Sequence, residues 1–80
     1  MNIKVHIDSM RDAEHFSNLL RKHPEEMTLN GGKFCVDPKS VLGVMAMMYS
    51  ARDEMALNTG DMDDERIPAL VREIGSYIKQ

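Results

Sequence analysis

The chain has 80 residues, of which 42% are hydrophobic and 29% are charged, and its formal net charge is −3. This length leaves room for one small core, so we expect a single domain spanning residues 1–80. The apolar content excludes a wholly disordered chain. Because acidic residues outnumber basic ones and the sequence has no basic stripe, we expect no nucleic-acid partner.

The cysteine content and the hydropathy pattern indicate where in the cell the protein is located. Cys35 is the single cysteine, so it cannot form a disulfide within the chain. The sequence contains no run of about 18 apolar residues and no signal-like segment. We therefore expect a cytoplasmic protein with no membrane partner.

The N-terminal part predicts a strand followed by a helix. Residues Asn2–Ile7 alternate polar and β-branched apolar side chains, which is typical of a strand with one wet face. Ser9, with Asp12 three residues later, resembles a capping box and predicts a helix over residues 10–22. The helical spacing predicts a core face of Ala13, Phe16, Leu19 and Leu20, and a solvent face of Glu14, Ser17, Asn18 and Arg21.

A hairpin is predicted next. The short alternating segments Glu26–Leu29 and Lys33–Val36 flank Asn30-Gly31-Gly32, whose residues tolerate positive φ. This combination favours two antiparallel strands joined by a tight turn.

The second helix has two possible starts. Asp37 could be the N-cap with Pro38 in the first turn, or Ser40 could be the N-cap, and the sequence leaves both open. The following segment, Val41–Met48, is apolar on nearly every side. A surface helix is normally amphipathic, so this excess indicates that the outer side is used for something.

The C-terminal third predicts a strand and a third helix. Residues 54–59 alternate again, and helical spacing then continues from Ile67 to Ile78. The predicted order of elements is β-α-β-β-α-β-α. This order favours an α+β fold in which helices pack on one face of a four-stranded sheet.

The sequence offers little for catalysis. His6, His15 and His23 lack the one-turn spacing of helical metal ligands, so we expect no metal and no cofactor. The serines lie in no nucleophile motif, so we expect no enzyme activity. Cys35 has no neighbouring cation that would activate its thiol, which favours a structural role.

Two helix starts are candidate anion-binding sites. Ser9 and Arg11 combine free helix amides with a guanidinium that suits phosphate or carboxylate. Ser40, next to Lys39, has a similar arrangement. In both places the simpler interpretation is a hydroxyl that caps a helix, and the residues alone leave both interpretations open.

The segment from Asp37 to Met47, DPKSVLGVMAM, resembles the regulatory-serine segment of HPr, the histidine-containing phosphocarrier family of the bacterial sugar phosphotransferase system. The shared core is Lys-Ser-aliphatic-aliphatic-Gly-Val-Met. The chain length, the order of elements and the Asn30-Gly31 hairpin are similar to that family as well. The resemblance implies an HPr-like open-faced β-sandwich, in which three helices cover one face of a four-stranded antiparallel sheet.

The resemblance also implies a function without phosphoryl transfer. When Arg11 and Phe16 are matched to the family, its phosphoryl-carrying histidine falls at Ser9, and Asp12 stands where the family has proline. Ser40 matches the serine that HPr kinase phosphorylates. The residues that match the partner-docking segment are Lys39, Val41, Leu42 and Met45.

The orientation of the second helix separates two expectations. Periodicity alone would bury Val41, Val44, Met45 and Met48. The resemblance instead turns Leu42 and Met45 outward and turns Val44 and Met47 inward. We follow the resemblance, because a docking surface explains an apolar outer side.

We therefore expect a regulatory, HPr-like protein-interaction module that docks through its second helix and is controlled by phosphorylation of Ser40. The expected partners are HPr kinase, a transcriptional regulator or phosphotransferase-system enzymes. One alternative is a genuine phosphocarrier that uses a non-standard residue. Another is a structural or ligand-binding sandwich that shares only the fold.

Overall fold

The computed structural model describes residues 1–79, which form one four-stranded antiparallel sheet with three α-helices. The strands are β1 (Asn2–Lys4), β2 (Thr28–Gly31), β3 (Phe34–Val36) and β4 (Ala56–Asn58), in the spatial order β1-β4-β2-β3. The helices are α1 (Met10–Arg21), α2 (Val41–Ala51) and α3 (Ile67–Glu73). The predicted fold class and the predicted order of elements are confirmed. Within the same residues, no helix has the length and hydropathy needed to cross a membrane.

The sheet has one buried face and one open face. Leu57 pairs with Ile3 on one side and with Leu29 on the other, and all three side chains are buried under the helices. On the opposite face, Lys4 and Thr28 are exposed to solvent. The alternation along each strand therefore places the whole core between the sheet and one layer of helices.

Helix α1 begins as predicted, but one residue of its solvent face was assigned wrongly. The backbone N–H of Asp12 donates to Ser9 Oγ at 3.1 Å, which confirms Ser9 as the N-cap. Ser17, predicted to face water, is completely buried. It lies four residues after Ala13 and three before Leu20, so it shares their face whatever its polarity.

The hairpin brings β3 to the edge of the sheet. The register pairs Gly31 with Phe34, so Gly32 and Lys33 form a two-residue loop, and Gly32 has φ +56°. Gly31 is buried, and a Cβ there would lie 2.8 Å from both Ala51 Cβ and Met47 Sδ. The absence of a side chain at Gly31 therefore lets α2 lie directly over the hairpin.

The C-terminal part differs from the prediction of one helix through Ile78. Helix α3 ends at Glu73, a 3₁₀ turn covers Gly75–Tyr77, and Ile78 pairs with Val5 in an antiparallel bridge. The backbone of Lys79 donates to the Lys4 carbonyl at 2.9 Å. The backbone groups at the edge of β1 need hydrogen-bond partners. Ile78 and Lys79 supply them, and these bonds replace the last turn of the predicted helix.

The fourth strand is also shorter than predicted. It covers Ala56–Asn58 rather than residues 54–59, because a 3₁₀ turn over Arg52–Glu54 follows directly from α2. The apolar alternation of this segment is nevertheless kept, since Met55 and Leu57 are buried.

Candidate functional site

The start of α2 is built by a tight turn over residues 37–40. Asp37 Oδ1 accepts the Lys39 backbone N–H at 2.9 Å, and the Asp37 carbonyl accepts the Ser40 N–H at 3.0 Å. Ser40 itself is extended, with φ −97° and ψ 119°, and its Oγ accepts the Gly43 N–H at 3.2 Å. The structure thus selects Ser40 as the N-cap, while Asp37 shapes the turn before it.

The outer face of α2, defined here as Leu42, Met45, Ala46 and Tyr49, is apolar along its length. Leu42 is 77% exposed and Tyr49 is 71% exposed, while Met45 is half-buried. These residues follow the spacing i, i+3, i+4, i+7 and therefore form one stripe. The stripe runs along the side of the helix that faces solvent.

The inner face of α2 decides between the two expected orientations. Met47 is buried and Leu42 is exposed, as the resemblance implied, and Val44 is buried as both expectations required. Met48 is buried as periodicity predicted. Val41 and Met45 are half-buried, so neither is fully enclosed as periodicity alone would require. Met45 was predicted to point outward, and this is confirmed only in part, because its side chain also packs against the core.

Lys39 lies beside this surface but directs its charge inward. Its ammonium donates to the His23 carbonyl at 2.5 Å and to the Glu25 carbonyl at 2.8 Å. These bonds tie the cap of α2 to the loop that follows α1. Lys39, expected to contact a partner, thus has a structural role in this conformation.

The loop held by Lys39 is also joined to α3. His23 Nε2 lies 2.6 Å from Glu73 Oε2, and the Arg66 guanidinium pairs with the Glu25 carboxylate. One chain of polar contacts therefore runs from the start of α2 to both ends of α3. This connection fixes the position of the Ser40 cap relative to the rest of the helical layer.

Two exposed aromatic side chains were not identified from the sequence. Tyr49 is four residues after Met45, the last residue of the predicted surface, so it extends that surface by one turn. Phe34 is 54% exposed on the helix side of the sheet. It borders a cleft of about 130 Å³ between β3 and α2 that is lined by Phe34, Val36, Ala46, Met47 and Ser50.

The candidate anion site at α1 has different surroundings. Ser9 Oγ is occupied by its cap bond to Asp12, and Arg11 is exposed. The carboxylates of Asp8 and Asp12 line the same surface pocket beside this helix start. Their negative charge repels an anion at this helix start. The surroundings of Ser9 and Arg11 are therefore less favourable for anion binding than the sequence suggested.

That pocket has a volume of about 600 Å³, and its lining residues do not include any from α2. It contains the pair His6 Nε2 and Asp8 Oδ1, 2.6 Å apart. Tyr77 also lines it, and its hydroxyl lies 2.5 Å from His15 Nδ1. Burial, with a smaller contribution from the charge of Asp12, raises the pKa of Tyr77 above its ordinary value. Across residues 1–79, no three His, Cys, Asp or Glu side chains are grouped as metal ligands.

Comparison of the chain with protein-family models, with curated proteins and with solved structures finds no match. Function is therefore inferred from the surface of the chain itself. The two features that stand out are the outer face of α2 and the Ser40 cap at its start.

Proposed function

We propose that this chain is a cytoplasmic, HPr-like interaction module without catalytic activity, which docks a protein partner on the outer face of α2. The observation that carries the proposal is the exposure of Leu42 and Tyr49 on a helix that contains no charged residue from Val41 to Ala51. A solvated helix face is normally polar, and a contiguous apolar stripe is typical of an interaction site.

The residues of this face suit a protein interface. Tyr49 has a large apolar ring with a polar tip, which is favoured where one side is dry and the other wet. Leu42 contributes aliphatic area that is removed from water when a partner covers it. Met45 is flexible and partly anchored, so it can adapt to the shape of the partner.

Phosphorylation of Ser40 would change this face through charge. The hydroxyl is exposed and already bonded to the Gly43 amide, so a phosphate there would lie at the positive end of the α2 dipole. It would add about −1.5 to −2 charges beside Leu42. The Asp37 carboxylate lies nearby and Lys39 is already occupied, so the modified face would favour a basic partner.

The partner class follows from the resemblance to HPr. The candidates are HPr kinase, a transcriptional regulator or enzymes of the sugar phosphotransferase system. A role other than phosphoryl transfer is supported by Ser9, which stands at the position that matches the carrier histidine and has the acidic neighbours Asp8 and Asp12. The imidazole in the adjoining pocket, His6, is paired with Asp8.

The phosphorylation step is tested with purified HPr kinase and ATP. We expect a phosphopeptide containing Ser40, found by mass spectrometry, and none containing Ser9. Ser9 is a matched internal control because it is also an exposed N-cap. Absence of phosphate at Ser40, or equal labelling of both serines, would reject the switch.

The docking step is tested by titrating purified candidate partners against Leu42→Asp. The control is Asn18→Asp, which adds the same charge to the exposed side of α1. We expect the affinity for the partner to fall at least tenfold for Leu42→Asp and to stay unchanged for Asn18→Asp. Incubation with enzyme I and phosphoenolpyruvate should give no acid-labile phosphoprotein, and its formation would favour the phosphocarrier alternative.

A further inference from the structure

The outer edge of the sheet at β3 is unpaired within residues 1–79. β3 is the last strand in the order, and its other side is bonded to β2. The two-residue loop makes Gly31 and Phe34 a hydrogen-bonded pair, and such pairs alternate along an antiparallel ladder. The backbone N–H and C=O of Cys35 therefore point away from β2, towards this free edge.

The residues along this edge are complementary to themselves. The sequence from Lys33 to Asp37 reads basic, apolar, Cys, apolar, acidic. If a second copy runs antiparallel with its Cys35 opposite Cys35, each Lys33 faces Asp37 of the second copy. Lys33 lies in the loop before β3 and Asp37 directly after the strand, so the two charges flank the paired residues. A lysine at a sheet edge normally discourages pairing, but here the opposing carboxylate offsets its charge.

The side chains above the edge also permit close approach. Ala46 and Ser50, one turn apart on α2, line the cleft beside Phe34. Helix α2 lies over β2 and β3, and neighbouring strands are about 4.8 Å apart. Pairing of two β3 strands would bring the two α2 helices to roughly 10 Å, which is the upper end of the separations found for packed helices.

We propose that a second copy of this chain is the partner of the β3 edge, and that the two copies form a continuous eight-stranded sheet with their α2 helices side by side. The antiparallel pairing is a two-fold arrangement, so it closes as a dimer and leaves no further edge at β3. Phe34 and the cleft become covered. Ala46, which belongs to the outer face of α2 and also lines the cleft, is covered as well. Leu42 and Tyr49 stay on the solvent side of α2 in both copies.

The dimer is tested by sedimentation velocity of the full chain between about 10 μM and about 1 mM, the range suited to a small interface. We expect a concentration-dependent change from monomer to dimer. Lys33→Glu should raise the dissociation constant at least tenfold, because the reversed charge meets Asp37 of the second copy. Lys4→Glu, the same change on the opposite edge strand β1, should have no effect.

A thiol cross-linker with a short spacer tests the register. Opposed residues of an antiparallel pair have Cβ atoms about 5 Å apart, so two Cys35 side chains should cross-link efficiently. The control is Cys35→Ser with Thr28→Cys, which moves the thiol one strand inward on the same open face. A monomer at every concentration, equal effects of Lys33→Glu and Lys4→Glu, or equal cross-linking of the control would overturn the proposal. Docking on Leu42 is measured separately and does not depend on this result.

Discussion

Helices α1 and α2 begin in the same way and end up with different surfaces. Each has a serine N-cap whose hydroxyl accepts the backbone N–H three residues later, at 3.1 Å for Ser9 and 3.2 Å for Ser40. Around Ser9 the surface has two carboxylates, whereas Ser40 leads into an apolar outer face. The cap therefore starts the helix, and the side chains around the cap determine what the helix start can bind.

Both helices are held in place by their buried faces. Phe16 in α1 is completely buried, and Met47 in α2 is 1% exposed. We expect Phe16→Ala to lower the free energy of unfolding by about 4 kcal/mol and Met47→Ala by about 3 kcal/mol, from lost burial and the cavities left. Urea unfolding measures both. A loss below about 1 kcal/mol for Met47→Ala would show that α2 is loosely packed.

The caps should be equivalent in stability even though their surroundings differ. We expect Ser9→Ala and Ser40→Ala each to lower the free energy of unfolding by about 1 kcal/mol, because each removes one hydrogen bond to a helix amide. Replacement by Asp, which also caps, should restore most of the loss. Thermal unfolding checks this, and a loss at only one of the two positions would contradict the shared geometry.

The outer face of α2 should contribute to binding and not to folding. Because Leu42 is 77% exposed, Leu42→Asp should change the free energy of unfolding by no more than about 0.5 kcal/mol. The matched variant Asn18→Asp on α1 should change the free energy of unfolding by a similarly small amount, as measured by chemical denaturation. A large destabilisation by Leu42→Asp would mean that this side chain is needed for the fold and that its exposure has another cause.

The smallest effect concerns the pocket beside α1 at high pH. The raised pKa of Tyr77 means that the folded state keeps the phenol proton more tightly than the unfolded state does. The stability this gives is complete below the unfolded pKa of about 10 and falls as pH rises towards the folded value. We expect Tyr77→Phe to lose less stability than the parent protein between neutral pH and pH above about 10, measured by denaturant unfolding at each pH. An identical alkaline loss in both proteins would exclude this contribution.

Several features could be read from the sequence because they depend on close neighbours in the chain. Ser9 caps α1 through a bond to the residue three positions later, and Gly32 allows the turn between two short strands. Ser40 was one of the two N-caps of α2 that the sequence left open, and its bond to Gly43 has the same spacing. The burial of Val44 was expected from periodicity and from the resemblance to HPr, whereas the burial of Met47 was expected from the resemblance alone.

Other features depended on contacts between distant residues. Ser17 was assigned to solvent by its polarity, although its position in α1 buries it. Lys39 was expected to meet a partner, yet its ammonium bonds to carbonyls 16 and 14 residues earlier in the chain. The exposure of Phe34 could not be foreseen, because it follows from β3 lying at the edge of the sheet.

The sequence by itself determined the order of strands and helices, the Ser9 cap and the turn glycine, because hydrogen bonds and steric limits within a few residues suffice for these. It left the N-cap of α2 open between Asp37 and Ser40. Only the tertiary structure decided where α3 stops, since Ile78 leaves the helical pattern to pair with Val5. It also decided which apolar side chains of α2 and β3 remain in contact with water. Helical spacing was enough to predict most of the buried face of α1, but α2 is apolar on nearly every side, so only the packing of the layers decides which of its side chains are buried.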